Sequence, residues 1–384
     1  IPLSGPISDL IFSNPIPVNL LKLVILASAI QAVNNIINTL MRLQSRSVLY
    51  TVANLLKLTS VLLLTLYFII SKKMGLEGIY LAQVIGNSFF ILVLMGYSIR
   101  NSRVYFDGSV LMSMSSYGFP LLMANISAAL LTVIDRFSLN SLALLKSVAL
   151  YTLAFKITSV LKLVIGDSVK LAIGPMMFKW MDKPDNKRFY SKVLLYSSYV
   201  MMFAIVGISM FSYEIIKVIT KSKQYWEAVV IIPILSLSVF FTNIKDITVY
   251  GLHIVKKTRI IGLIIILTTL LSLGLNILLI PMWDITGAAL ATLLAQIVYW
   301  LACYYFSQKA FFVPYENRKI AILFIVGAGL SFLSLKLNGM NLLPRLTLKT
   351  IGLISFPFIL YFAGFYEEIE ISITYSTDKV FVIV

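Results

Sequence analysis

Four ionisable residues, Lys156, Lys162, Asp167 and Lys170, lie in one apolar stretch of the chain. At 3.6 residues per turn, with Lys156 at 0°, Asp167 falls near about 20°, Lys170 near about 320° and Lys162 near about 240°. An ionised side chain at mid-membrane costs at least about 2.5–3.5 kcal/mol, so such a stripe faces water, an anion or both. Lysine is a mobile point charge that suits a moving anion. Lys162 and Lys170 could instead snorkel to an interface. Arg136 follows Asp135 and shares a face with Asn125 and Thr132, where it anchors a phosphate, gates a path or pairs to fix the helix end. Lys245 precedes Asp246, and Lys57 faces a polar stripe of its own helix. Asp135, Asp167 and Asp246 are the acids placed to carry a coupling proton or sodium ion, and nothing in the sequence chooses among them.

Amides and hydroxyls recur at helix-face spacing. They are Asn34 and Asn38 beside Gln31 and Asn35, Asn54 beside Tyr50, Gln83 beside Asn87, and Gln296 beside Thr292 and Tyr299; Thr268, Ser272 and Asn276 form another such face. Such groups both donate and accept, which suits sugars in a wet cavity. The competing role is hydrogen bonding between helices, worth about 0.6 kcal/mol each.

The elements that must position these residues are membrane helices. The chain has 384 residues, of which 59% are hydrophobic and 12% charged, with a formal net charge of +16. This composition excludes an ordinary soluble enzyme. One cysteine, Cys303, and one histidine, His253, exclude thiolate and imidazole metal clusters. The positive-inside rule accounts for the basic balance without nucleic acid. Apolar runs near 18–41, 48–70, 79–99, 113–134, 147–177, 190–212, 226–250, 259–281, 285–306, 318–336 and 346–366 predict eleven spans of about 20 residues. Residues 1–13 read as the tail of an earlier apolar segment, and the missing initiator Met reads as a trimmed front. Lys and Arg concentrate in one alternate set of loops, including 178–189 and 251–259, which predicts a cytoplasmic face carrying the C-terminus. The tail 367–384 has no assigned role. An echo between Gly78–Ala82 and Gly287–Ala291, six helices apart, suggests two parallel six-helix lobes.

Ordered motifs carry a resemblance. Tyr117-Gly118-Phe119-Pro120 with Ile134-Asp135-Arg136-Phe137, then Tyr151-Thr152-Leu153-Ala154-Phe155-Lys156, resemble a seventh and eighth helix of the polysaccharide-biosynthesis flippase family. This is the Wzx type of the multidrug/oligosaccharidyl-lipid/polysaccharide (MOP) exporter superfamily. Tyr225-Trp226-Glu227-Ala228 with Pro233, Gly251 and Lys256-Lys257-Thr258 resembles its tenth helix and following loop. Asn276-Ile277-Leu278-Leu279-Ile280-Pro281 with Gly287-Ala288-Ala289-Leu290 is similar to its eleventh and twelfth.

The resemblance implies an all-α polytopic bundle of fourteen helices, about eleven of them complete here. Residues 1–104 would be the rest of an N-terminal lobe, 105–310 a C-terminal lobe, 311–366 two further helices and 367–384 a tail. It implies a flippase that moves an undecaprenyl-pyrophosphate-linked oligosaccharide, an O-antigen or capsule repeat unit, across the bacterial inner membrane by alternating access. Its partners would be that substrate, membrane lipids and glycan-assembly proteins such as a polymerase, with no cofactor beyond a proton or sodium gradient. A cation-coupled multidrug exporter of the same superfamily is the first alternative. A membrane polysaccharide polymerase or glycosyltransferase is the second, although no Gly-rich phosphate loop or Ser/His/Asp set supports catalysis.

Overall fold

A computed structural model describes residues 18–366 other than 45, 103–106, 182 and 221. The expected earlier segment at 1–13 and the tail 367–384 lie outside the described residues. Those residues are helical, without strands, and ten helices are long and apolar enough to cross a membrane. Long side chains such as Leu58, Leu62, Leu267 and Leu278 stand exposed on them, surface that only lipid makes affordable. The chain is a multi-pass membrane protein. It divides into two compact units, Ile1–Gly108 and Ser109–Val384.

In the first unit, α1 (Val18–Leu43), α2 (Ser47–Leu66) and α3 (Gly75–Val93) pack together, and α4 (Met95–Asn101) follows. A π turn, Tyr67–Ser71, ends α2, and the chain reverses through Lys73 (φ 51°) and Gly75 (φ 59°). Small residues set how closely α3 approaches α2. A Cβ on Gly78 would stand 2.9 Å from the Phe68 Cβ, and one on Gly86 would collide with Val61.

The second unit contains α5 (Gly108–Leu142), α6 (Leu145–Leu161), α7 (Asp167–Lys179), α8 (Asn186–Met210), α9 (Ser212–Ile219), α10 (Ile232–Thr248), α11 (Tyr250–Ile254), α12 (Thr258–Ala310), α13 (Asn317–Leu337) and α14 (Leu342–Phe362). Its centre is α10, entered through a 3₁₀ turn, Lys223–Ile231. The apolar window of that span is 78% buried, against 17% for α14. α10 packs on α6, α8, α12 and α13, with Phe240, Phe241 and Ile244 in its core. The last two helices pack on α8.

Of two backbone features, the first departs from the expected helices and the second matches the break expected between them. The run 147–177 is broken by a π turn, Lys162–Gly166, between α6 and α7. The runs 259–281 and 285–306 are the two legs of α12, which folds at Asp284 (φ 47°, ψ −124°), three residues after Pro281. Pro281 cannot donate to the helix, and Gly287 lets the legs close, since a Cβ there would fall on the Leu279 carbonyl. The Ser147 hydroxyl donates to the Asp284 carboxylate at 2.8 Å, tying the fold to the start of α6.

Candidate functional site

Asp135 is 2% exposed near the end of α5. The Tyr151 hydroxyl of α6 donates to its Oδ2 at 2.8 Å, and the Thr292 hydroxyl of the second α12 leg reaches the same oxygen at 3.0 Å. The Asn276 amide of the first leg donates to Oδ1 at 2.8 Å. Tyr151 and Thr292 are themselves 2.9 Å apart. Along a straight helix Asn276 and Thr292 would be about 24 Å apart; only the fold at Asp284 brings both to one carboxylate. The Asn276 Oδ1 and, one turn beyond Thr292, the Gln296 Oε1 are buried without a hydrogen-bond partner. The Arg136 guanidinium lies 4.3 Å from the Phe155 ring centroid, and its buried Nε has no hydrogen-bond partner. Carboxylate, amide and hydroxyl oxygens gathered this way can hold a proton or a hard cation.

A second node lies on α10. Lys245 and Asp246 form an ion pair, and the Lys245 Nζ stands 4.8 Å from the Tyr299 ring centroid. Asp246 lines a narrow cleft with Lys170, Asn243 and Tyr250. Asp246 is therefore committed to its neighbour, whereas Asp135 is held by neutral donors with Arg136 directed to a ring. Among the described residues no three of His, Cys, Asp and Glu come together.

Residues 1–231, more than half of the chain, match the sequence profile of a family described as "polysaccharide biosynthesis protein". The chain belongs to that family. An uncharacterised membrane protein of Methanocaldococcus jannaschii is 26% identical over 229 residues, 59% of this chain and 45% of that protein. The chain thus spans less than half of that relative's length. The fold is similar to the lipid II flippase MurJ in an inward closed conformation, with TM-score 0.62, 18% identity, and 81% of this chain and 67% of that chain covered. It is also similar to a multidrug resistance MATE family transporter of the MOP superfamily, with TM-score 0.58, 15% identity, and 84% and 74% covered. A mutant of the Vibrio cholerae MATE transporter VcmN gives TM-score 0.53 at 15% identity, with 70% and 64% covered.

The lysine stripe is rearranged in this family member. A π turn inserts about one residue, which rotates everything after it by about 100°. Lys156 and Lys162 are exposed, and Lys170 moves off their arc into the cleft of Asp246. Asp167, half-buried, opens α7. In the first unit the polar stripes meet each other. The Asn34 amide donates to Asn87 Oδ1 at 3.0 Å, and the Asn54 amide to Asn38 Oδ1 at 2.9 Å. These asparagines hold helices together. Gln83 is half-buried and Asn125 exposed. The Lys57 Nζ sits 5.0 Å from the Phe90 ring centroid.

Two ion-pair nodes were not singled out from sequence. Glu214 accepts from Arg345 Nε at 2.8 Å and from the fully buried Lys349 Nζ at 2.7 Å. Arg345 and Lys349, one turn apart on an apolar helix, were the available signal. Glu316 pairs with Lys192 at 3.0 Å and with Lys319. Burial pushes the Glu316 carboxyl upward, but hydrogen bonds from Lys319 and Lys192 outweigh it and hold the group below the ordinary carboxylate range.

Proposed function

We propose that this chain belongs to a flippase that moves a polyprenyl-pyrophosphate-linked oligosaccharide, undecaprenyl-linked in a bacterial host, across the plasma membrane by alternating access. The observation that carries the reading is membership of a polysaccharide biosynthesis family in a chain built of membrane spans on a transporter fold. The site geometry fits it. Lys156 and Lys162 are exposed cations without an ion pair among the described residues, as a moving pyrophosphate requires. Asp135 is the coupling group: Asp135, Asn276 and Thr292 would hold sodium through oxygen atoms, or Asp135 would carry a proton. The cation supplies only charge compensation there. The C-terminal end of α14 is cytoplasmic in this reading.

Lys156 contacts the pyrophosphate. In cells dependent on this protein for surface glycan, Lys156→Ala should lower export at least tenfold at unchanged membrane abundance. Lys156→Arg should keep part of it, because charge survives while geometry changes. Wild-type export by both Lys156→Ala and Lys156→Glu removes the pyrophosphate role. The likeness to MATE transporters supports an organic-cation exporter as the second reading. Efflux of a cationic dye by the wild type, with no change in glycan, would select it.

A further inference from the structure

The N-terminal ends of α8 and α13 meet in a pocket of about 400 Å³ that the transport reading does not use. Lys187, Arg188, Ser191 and Lys192 line it from α8, and Pro314 and Glu316 from the segment before α13. The Ser191 hydroxyl donates to the Pro314 carbonyl at 3.0 Å, and Lys192 to Glu316, so the walls are joined. Glu316 is consumed by Lys192 and Lys319. Lys187 and Arg188 are exposed and make no ion pair among the described residues; Asp185 is the other acid lining the pocket.

A second observation concerns the depth of this pocket. Aromatic side chains lie on the segments beside it. Trp180 stacks on Phe189 at 4.7 Å, Tyr190 meets Phe311 at 5.9 Å, and Tyr304 meets Tyr315 at 6.0 Å. Lys183 lies 4.1 Å from the Trp180 centroid and Lys187 5.9 Å from that of Phe312. Trp and Tyr gather at the membrane–water interface, where their rings are apolar and their polar atoms wet. Both α8 and α13 are spans, and the first turn of α8 and the segment just before α13 form the pocket. Basic pockets between spans at this level suit anionic headgroups, and arginine matches phosphate with a planar fork.

We infer that this pocket binds the phosphate headgroup of an anionic membrane lipid, with Lys187 and Arg188 as its cationic contacts. The lipid would sit beside the junction that Glu316 and Lys192 hold, paired with cations that no acid there neutralises. Its phosphate chemistry is shared with free phosphate, but the neighbouring Trp180, Tyr304 and Tyr315 put the pocket at the level where headgroups are concentrated.

The purified full chain in neutral detergent tests this with three additives: phosphatidylglycerol, phosphatidylcholine and inorganic phosphate. Bound lipid is counted by native mass spectrometry, and thermal unfolding is followed in parallel. The wild type should bind phosphatidylglycerol saturably and unfold at higher temperature with it, with no such response to phosphatidylcholine. The Lys187→Gln/Arg188→Gln double variant should bind phosphatidylglycerol at least tenfold more weakly. Lys187→Arg/Arg188→Lys should restore binding, and Lys217→Gln, a cation elsewhere, should leave it unchanged. Equal unfolding temperatures in phosphatidylcholine alone establish that the double variant is folded. Unchanged phosphatidylglycerol binding by the folded double variant overturns the site. A response to inorganic phosphate alone, lost in the double variant, overturns the lipid and leaves a soluble phosphate in its place.

Discussion

At the scale of single residues, two of the three candidate acids, Asp135 and Asp246, separate by what surrounds them. Asp135 accepts hydrogen bonds from three neutral side chains, so a cation can replace a donor there without breaking an ion pair. Asp246 already neutralises Lys245. Asp135→Asn should therefore abolish the stabilisation of the purified protein by its coupling cation, read as the change in unfolding temperature with sodium chloride against choline chloride and with pH. Loss of gradient-driven transport should accompany it. Asp246→Asn should act differently, stranding Lys245 beside Tyr299 and costing about 3–5 kcal/mol of stability. An unchanged cation response in Asp135→Asn sends the coupling site elsewhere. Glu316 belongs to the same scale. Its folded value is depressed, so its ion pairs stabilise above the ordinary carboxylate value of about 4.3 and are lost as pH falls through the lower folded value. Glu316→Gln should flatten unfolding temperature against pH in the acid range and leave neutral pH less affected than removal of a buried partner would. A profile identical to wild type contradicts the direction given.

At the scale of elements, the spans were legible because each needs about 20 apolar residues, a signal that survives without knowing any neighbour. Their insides were less so. The lysine stripe was drawn on one continuous α-helix, but the π turn at Lys162–Gly166 is a product of packing, and no residue type in Lys-Leu-Val-Ile-Gly demands it. The Asp135 node was invisible for a related reason. Its donors lie 16, 141 and 157 residues away, and two of them sit on opposite sides of a fold at Asp284, a non-glycine residue with positive φ. In the sequence Asn276 stands in a polar face and a family-like motif, Thr292 only beside Gln296, and neither points to Asp135. Asn34 with Asn87 and Asn38 with Asn54 make the hydrogen bonds between helices that the sequence leaves open beside a cavity lining. The fold of α12 makes a prediction of its own. Gly287→Ala should drive the legs apart by collision with a backbone carbonyl, costing about 1–3 kcal/mol and weakening the cation response with Thr292 displaced. Gly274→Ala, on the same helix with open space around it, should be neutral or stabilising. Equal behaviour of the two alanines would mean that the legs do not rely on this contact.

At the scale of the whole molecule, contacts within Ser109–Val384 sort the connections into two ends. Tyr190 with Phe311, Ser191 with Pro314 and Ser307 with Thr248 bring 179–192, 248–259 and 307–319 to one end. Lys146 with Glu227, Ser147 with Asp284, and Arg345 with Glu214 bring 142–147, 211–227, 281–287 and 338–349 to the other. The first end carries Lys179, Lys183, Lys187, Arg188, Lys192, Lys256, Lys257, Arg259, Lys309, Arg318 and Lys319. The second carries seven, Lys146, Lys217, Lys221, Lys223, Lys336, Arg345 and Lys349, against eleven at the first. Inserted chains retain Lys and Arg on the cytoplasmic side, so the first end should face the cytoplasm. Cys303 is fully buried and is the single cysteine, so Cys303→Ala gives a clean background for labelling. In that background Lys183→Cys and Lys256→Cys should resist an impermeant maleimide added to intact cells and react after permeabilisation. Ser222→Cys, exposed at the second end, should react without permeabilisation. Reaction of Lys183→Cys and Lys256→Cys from outside, with Ser222→Cys protected, inverts the molecule. It would then place the basic pocket of Lys187 and Arg188 at the outer leaflet and reverse the direction in which a pyrophosphate would first meet Lys156.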